Sequence, residues 1–148
     1  MHVEKEYSID APVEEVWKLT SDLRGISECI PRIKSFKEES PRRFVVKVDH
    51  FFTFLKGTVT LNFEVLSMEN HQARIKIDGK SIGSAFEILT EMRLEKHLGQ
   101  TKLIWNADMK PRGLLAAMPD SVSRGAAVFL ADSIFDCLEK RSKPGECS

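Results

Sequence analysis

The chain has 148 residues, 42% hydrophobic and 30% charged, with a formal net charge of +0. That length suits one domain with a sizeable core, and the even charge balance argues against a general nucleic-acid binder, which would carry a basic excess. No apolar run approaches the roughly 18 residues of a membrane span, and the charged start, Met1-His-Val-Glu-Lys-Glu, does not read as a signal peptide. The expectation is a cytoplasmic single domain over 1–141 with a disordered tail over 142–148.

Residues 2–9 alternate and predict a strand. Asp10-Ala-Pro predicts a helix entrance, with Asp10 as cap and Pro12 in the first turn. Val13, Val16, Trp17 and Thr20 then share a helical face. Asp22 can cap a second short helix, which Pro31 ends. Beyond Pro31 the period changes to two. Ile33 and Phe36 fall in a short strand of ambiguous register. Phe44, Val46 and Val48 alternate with polar neighbours, as do Val59, Leu61, Phe63 and Val65. Ala73, Ile75 and Ile77 follow, then Phe86, Ile88, Thr90, Met92 and Leu94, then Leu103, Trp105, Ala107 and Met109. This pattern predicts an antiparallel meander with one wet face.

Requiring apolar residues to share a face fixes two registers. Leu94 pairs with Leu103, which sets Met92 opposite Trp105. Val65 pairs with Ile75, which sets Phe63 opposite Ile77. The other face then carries Glu87, Glu91, Arg93 and Glu95 beside Arg74, Lys76, Asp78, Lys102 and Lys110, an ionic lattice without assigned chemistry. From about Pro119, the apolar residues Val122, Ala126, Phe129, Leu130, Ile134, Cys137 and Leu138 recur at helical spacing, and Lys140, Arg141 and Lys143 suit the helix end. One long helix after a curved sheet is expected to cross the apolar face.

Cys29, Cys137 and Cys147 form no CxxC pair, so neither a zinc site nor a redox dithiol is signalled. The reading is buried thiols at Cys29 and Cys137 and a free one at Cys147.

Several motifs place the chain near a known family. Ile9-Asp-Ala-Pro-Val-Glu-Glu-Val-Trp-Lys-Leu through Asp22, Cys29-Ile-Pro31, and Phe54-Leu-Lys-Gly57 before an alternating strand resemble the CoxG-like family, named for the G component of carbon monoxide dehydrogenase. That family lies within the START/Bet v 1-like (SRPBCC) superfamily. The resemblance covers about residues 2–140. One departure is Arg32, where the family usually has glycine after the proline. The resemblance implies an α+β helix-grip fold: a seven-stranded curved antiparallel sheet around a long C-terminal helix, with two short helices after the first strand. It also implies a hydrophobic cavity for a lipid, quinone or other apolar molecule. Relatives are linked to membrane attachment, maturation or quinone coupling of molybdenum hydroxylase-type dehydrogenases.

No HExxH, GxSxG, Walker loop or GxGxxG occurs. His2, His50, His71 and His97 are scattered, so no metal or cofactor is expected. The inward positions are almost wholly apolar, which suits binding better than acid–base catalysis. The cavity wall is assigned to Phe63, Ile77, Phe86, Ile88, Met92, Trp105 and Met109 on the strands and Val122, Ala126 and Phe129 on the helix. Trp17 reads as a packing anchor. Gly57 and Gly79 mark strand bends or room for a ligand.

Loops of a meander alternate between its ends, so the segment after residue 49, the Lys80–Gly83 loop and the Pro111–Gly113 exit share one end. Phe51, Phe52, Phe54, Ile82, Leu114, Leu115 and Met118 are the expected cavity mouth, as a lid or as an exposed rim for a membrane or partner. Lys56, Lys80, Lys110 and Arg112 flank it and suit anionic headgroups. A basic excess between Arg24 and Lys47 reads as a solvated edge or an acidic-partner contact. Two other functions stay open: a small cyclase- or hydrolase-like enzyme using Thr90, Thr101, Asp49 or His50, and an interaction module with a filled core.

Overall fold

The computed structural model describes residues 1–49 and 57–142. Strand β1 (His2–Ile9) leads into α1 (Val13–Thr20) and α2 (Leu23–Glu28). Six strands follow: β2 (Ile33–Ser40), β3 (Arg43–Asp49), β4 (Thr58–Glu69), β5 (Gln72–Ser81), β6 (Ser84–His97) and β7 (Gln100–Gly113). A 3-10 turn, Leu114–Ala117, delivers the chain into α3 (Asp120–Ser142). The sheet order is β1-β7-β6-β5-β4-β3-β2, antiparallel throughout. This is the expected helix-grip architecture.

The two expected registers are present: Leu94 faces Leu103 with Met92 opposite Trp105, and Val65 faces Ile75 with Phe63 opposite Ile77. Apolar residues at alternate positions leave only one arrangement in which every strand turns its apolar side to the core. The wet face carries the ionic lattice, with Arg74 Nε 3.1 Å from Glu91 and Arg93 Nε 3.1 Å from Glu95. Lys102 reaches Glu6 on β1 at 3.4 Å, and Arg43 reaches Glu64 at 2.8 Å. These exposed pairs are each worth at most about 1 kcal/mol.

The ambiguity at Ile33 and Phe36 has a cause. The β2–β3 ladder shifts register between Ile33 and Ser35, so two residues of opposite parity both turn inward and become half-buried. Arg32, just before this strand, has φ +59°, the left-handed region that glycine occupies most easily. The glycine usual in the family thus has a conformational reason.

Asp22 caps α2, accepting a hydrogen bond from the Gly25 backbone N–H at 3.2 Å. Asp10 does not cap α1. Pro12 takes that position in extended conformation, and Asp10 instead lies 3.5 Å from Gln100 Nε2. The helix can start without a side-chain cap because proline's φ is already set for it.

The cysteine assignment needs correction. Cys29 and Cys137 are bonded as a disulfide, their Cα atoms 5.7 Å apart. A separation of 108 residues gave no local spacing signal, and only the docking of α3 beside α2 brings the two together. Helix α3 runs through Ser142. Cys147 and the rest of the tail lie outside the described residues.

Candidate functional site

The concave face of the sheet and the buried side of α3 enclose the core. Val46, Val48, Val59 and Leu103 have no exposed surface. Phe63, Ile77, Phe86, Ile88, Trp105 and Met109 are also inward and buried, but each keeps 7–9% of its surface accessible. Met92 is half-buried on the same face. All seven strand residues of the expected cavity wall therefore share one patch.

The helix contribution differs. Ser123, Ala127, Ala131, Phe135, Leu138 and Ser142 form the buried line of α3. Val122 and Ala126 flank it, half-buried. Phe129 is 51% exposed and stands at the rim of the helix, toward the β1 edge of the sheet. At about 100° per residue it stands well off the line of Ala127 and Ala131, one turn before Asp132 on the side that meets β1. Weighting the face by large apolar residues displaced it, because small residues occupy the centre of the stripe. Those small residues are what could leave volume between helix and sheet.

Gly79 is occupied from across the ladder. Phe86 pairs with it directly, and a Cβ at Gly79 would stand 2.6 Å from Phe86 Cε1 and nearer still to Cζ and Cε2. The phenyl ring fills the room that a ligand could otherwise take there.

The polar groups considered for catalysis have structural partners. Thr101 Oγ1, fully buried, donates to the Ala11 carbonyl at 2.7 Å. Thr90 Oγ1 donates to the Asn106 carbonyl at 3.0 Å and accepts the Trp105 indole N–H at 2.7 Å. That bond fixes the indole edge. Asp49 ends β3, half-buried, and His50 lies outside the described residues. Trp17 packs edge-on against His71, whose Nε2 is 3.0 Å from Glu14 Oε1, so α1 is anchored to the β4–β5 turn. His2 stands 2.6 Å from Asp108 and 2.9 Å from Glu4, and hydrogen bonds to these carboxylates hold its pKa above the ordinary value. Among the described residues no group of three or more His, Cys, Asp or Glu side chains could hold a metal ion.

One polar cluster was not anticipated. Lys5 and Tyr7 on β1 turn toward α3. Lys5 Nζ and Tyr7 OH both donate to Asp132 Oδ1, each at 2.7 Å. Burial raises the Tyr7 phenol's pKa, and the bond to Asp132 and its charge add to this. At Asp132 burial pushes the pKa upward, but the Lys5 and Tyr7 hydrogen bonds and the Lys5 charge outweigh it, leaving the carboxyl below its ordinary value. The cluster opens on a cleft of about 430 Å³ at the sheet edge, bordered by Phe129, Ser133, Asp136 and Glu139. The alternation of β1 placed Lys5 and Tyr7 inward. Nothing in the sequence paired them with a residue more than 120 positions away.

At the opposite end of α3 the expected loops do meet. Leu114 N–H donates to the Gly83 carbonyl at 2.9 Å, Leu115 N–H reaches Ser84 Oγ at 3.1 Å, and a Cβ on Gly57 would lie 3.7 Å from Ile82. Ile82 is 74% and Leu114 60% exposed, whereas Leu115 is buried and Met118 half-buried. Lys80, Lys110 and Arg112 are exposed there, with Arg112 3.9 Å from Glu87. Phe51, Phe52, Phe54 and Lys56 lie outside the described residues. In the basic stretch Arg24 lies over the Phe36 ring, and Arg42 donates to the Leu66 carbonyl at 3.2 Å.

The family of the carbon monoxide dehydrogenase G component (CoxG) matches residues 6–142. The chain belongs to this family. A conserved protein from Geobacillus kaustophilus is 19% identical and superposes with a TM-score of 0.89, over 96% of this chain and 95% of its own. A START superfamily protein from Mycobacterium smegmatis is 15% identical with a TM-score of 0.73, covering 95% and 96%. Ara h 8.0201 is 16% identical with a TM-score of 0.72, covering 96% and 97%. At these identities the likeness concerns the fold, which for this CoxG chain is the START/Bet v 1-like helix grip. A comparison with curated proteins gives no significant match. No helix among the described residues is long and apolar enough to cross a membrane.

Proposed function

We propose that this CoxG domain binds a hydrophobic small molecule, lipid- or quinone-like, between the concave sheet and α3, and that it is not an enzyme. The observation that carries this reading is the residual 7–9% exposure of Phe63, Ile77, Phe86, Ile88, Trp105 and Met109. These residues lie on the covered face, beside neighbours with none. Apolar side chains that keep accessible surface under a helix border space, and apolar space with few polar groups is a ligand site in type. The small residues Ala127 and Ala131 face that space from α3.

Access is at the Ile82–Leu114 end, where two large apolar side chains stand in solvent beside Lys80 and Lys110. Such a rim suits a membrane surface or a protein partner. Membership in the CoxG family supports an accessory role in membrane association or maturation of a molybdenum hydroxylase or CO dehydrogenase-type complex, on the cytoplasmic side. The enzyme reading loses support because Thr90 and Thr101 are engaged in fixed structural bonds.

Native mass spectrometry of gently purified protein, with titration of a long-chain quinone or fatty acid against Trp105 fluorescence, tests the reading. The expected result is a saturable response that survives Trp17→Phe and is lost in Ala127→Phe, with the far-ultraviolet spectrum unchanged. A folded protein that shows neither a co-purifying molecule nor any response to apolar ligands would overturn it in favour of a filled core.

A further inference from the structure

The Cys29–Cys137 bond joins α2 to the last turns of α3, next to the buried Leu138 and Ser142. Cys29 caps the C-terminus of α2, a helix of only six residues. Helices so short are marginal unless tertiary contacts support them. Beside the disulfide, Arg141 Nη1 donates to the Gly25 carbonyl at 3.1 Å and stands 3.6 Å from Glu28 Oε1. Cys137 lies 17 residues beyond the start of α3, about 26 Å along the helix at 1.5 Å per residue. The apolar rim is at the other end. The long helix that covers the sheet is therefore cross-linked near its C-terminus, far from the rim.

We propose that this disulfide is a redox clasp on the covering helix. Oxidised, it holds the last turns of α3 against α2 and keeps the apolar space closed at that end. Reduced, it lets those turns and α2 separate, which opens a second way out opposite the rim, so that the bound molecule exchanges faster. The proposal rests on the ligand-binding reading above and adds its regulation. The reductant is a dithiol. One of its thiolates attacks the Cys137 sulfur, on the more exposed of the two residues, and the S–S bond breaks. Cys29 leaves as a thiolate and takes up a proton. The second donor thiol resolves the mixed disulfide, freeing Cys137 and leaving the donor oxidised by two electrons. Disulfides in reducing compartments are mostly transient or sensing ones, which agrees with a switch in a cytoplasmic protein.

The test uses the full chain carrying Cys147→Ser, so that only this pair reacts. Hydrogen exchange read by mass spectrometry and Nile red release are measured before and after dithiothreitol. Reduction is expected to raise exchange in 23–28 and 137–142, leave the β3–β7 amides protected, and speed dye release several-fold. Cys29→Ser with Cys137→Ser should behave like the reduced protein and ignore dithiothreitol. Unchanged exchange and release on reduction would overturn the proposal. So would loss of protection across the whole sheet, which would make the bond a staple of the entire fold. If Nile red binds in neither state, the ligand reading fails, while exchange in α2 and α3 still judges the clasp.

Discussion

Gly79→Ala is the sharpest probe of how the inner face is filled. The added methyl would meet the Phe86 ring at 2.6 Å or less, where carbon atoms need about 3.5–4.0 Å. The ring must therefore move by about 1 Å or more, or leave its rotamer. Phe86 is 8% exposed, so little free space receives it. Overpacking of this kind costs about 1–3 kcal/mol, and replacing a strand glycine by alanine returns about 0.5–1 kcal/mol. The net expectation is a loss of about 1–2 kcal/mol, or a Tm lower by about 3–8 °C for a chain of this length. Phe86→Ala alone should cost about 3–5 kcal/mol through the cavity it leaves. In that background Gly79→Ala should change sign and stabilise by about 0.5–1 kcal/mol, a coupling near 2 kcal/mol. Urea titrations of the four proteins measure the cycle. Equal destabilisation by Gly79→Ala in both backgrounds would refute the claim that Phe86 occupies the space over Gly79.

Arg32→Gly should raise stability by up to about 1 kcal/mol, because φ +59° strains any L side chain. Arg32→Ala, which keeps the strain, should not, and a destabilising glycine in urea titration would contradict this reading. The Tyr7–Asp132 pair predicts two limbs of pH dependence, read as Tm against pH. The Tyr7 phenol is raised above its ordinary value, so its stabilisation is complete below about pH 10 and fades as pH rises through the folded value. Asp132 is lowered, so its contribution is present above about pH 3.9 and fades as pH falls through the folded value. Tyr7→Phe should flatten the alkaline limb and Asp132→Asn the acid one, and profiles parallel to the parent's would show that the pair does not set them.

The strands were legible because strict alternation leaves one register with a single apolar face, as at Leu94–Leu103 and Val65–Ile75. The bulge in β2 was not, since a register shift breaks the period that reveals a strand. On α3 the buried line runs through Ser123, Ala127 and Ala131, residues whose weak hydrophobicity hides them, while Phe129 drew the expected face toward solvent. The disulfide and the Lys5–Tyr7–Asp132 cluster join positions 108 to 127 residues apart, and only tertiary packing creates them. The inward set of the strands was thus readable from parity, and the buried line of α3 required the fold.

The sheet order has a further consequence for how the chain reaches this state. Every strand from β2 to β7 pairs with its neighbour in sequence, and all these hairpins but β3–β4 close across two residues. Strand β1 pairs with β7 alone, with His2 opposite Asp108. Loop closure over such a distance comes at an entropic cost that the local hairpins avoid. On the ribosome, β1 has no ladder partner until almost the whole sheet has emerged. Cys29 waits longer still, since Cys137 follows in the last turns of α3. The β1 strand and the two small helices are therefore the last pieces to be locked in, although they precede the rest of the sheet in the chain.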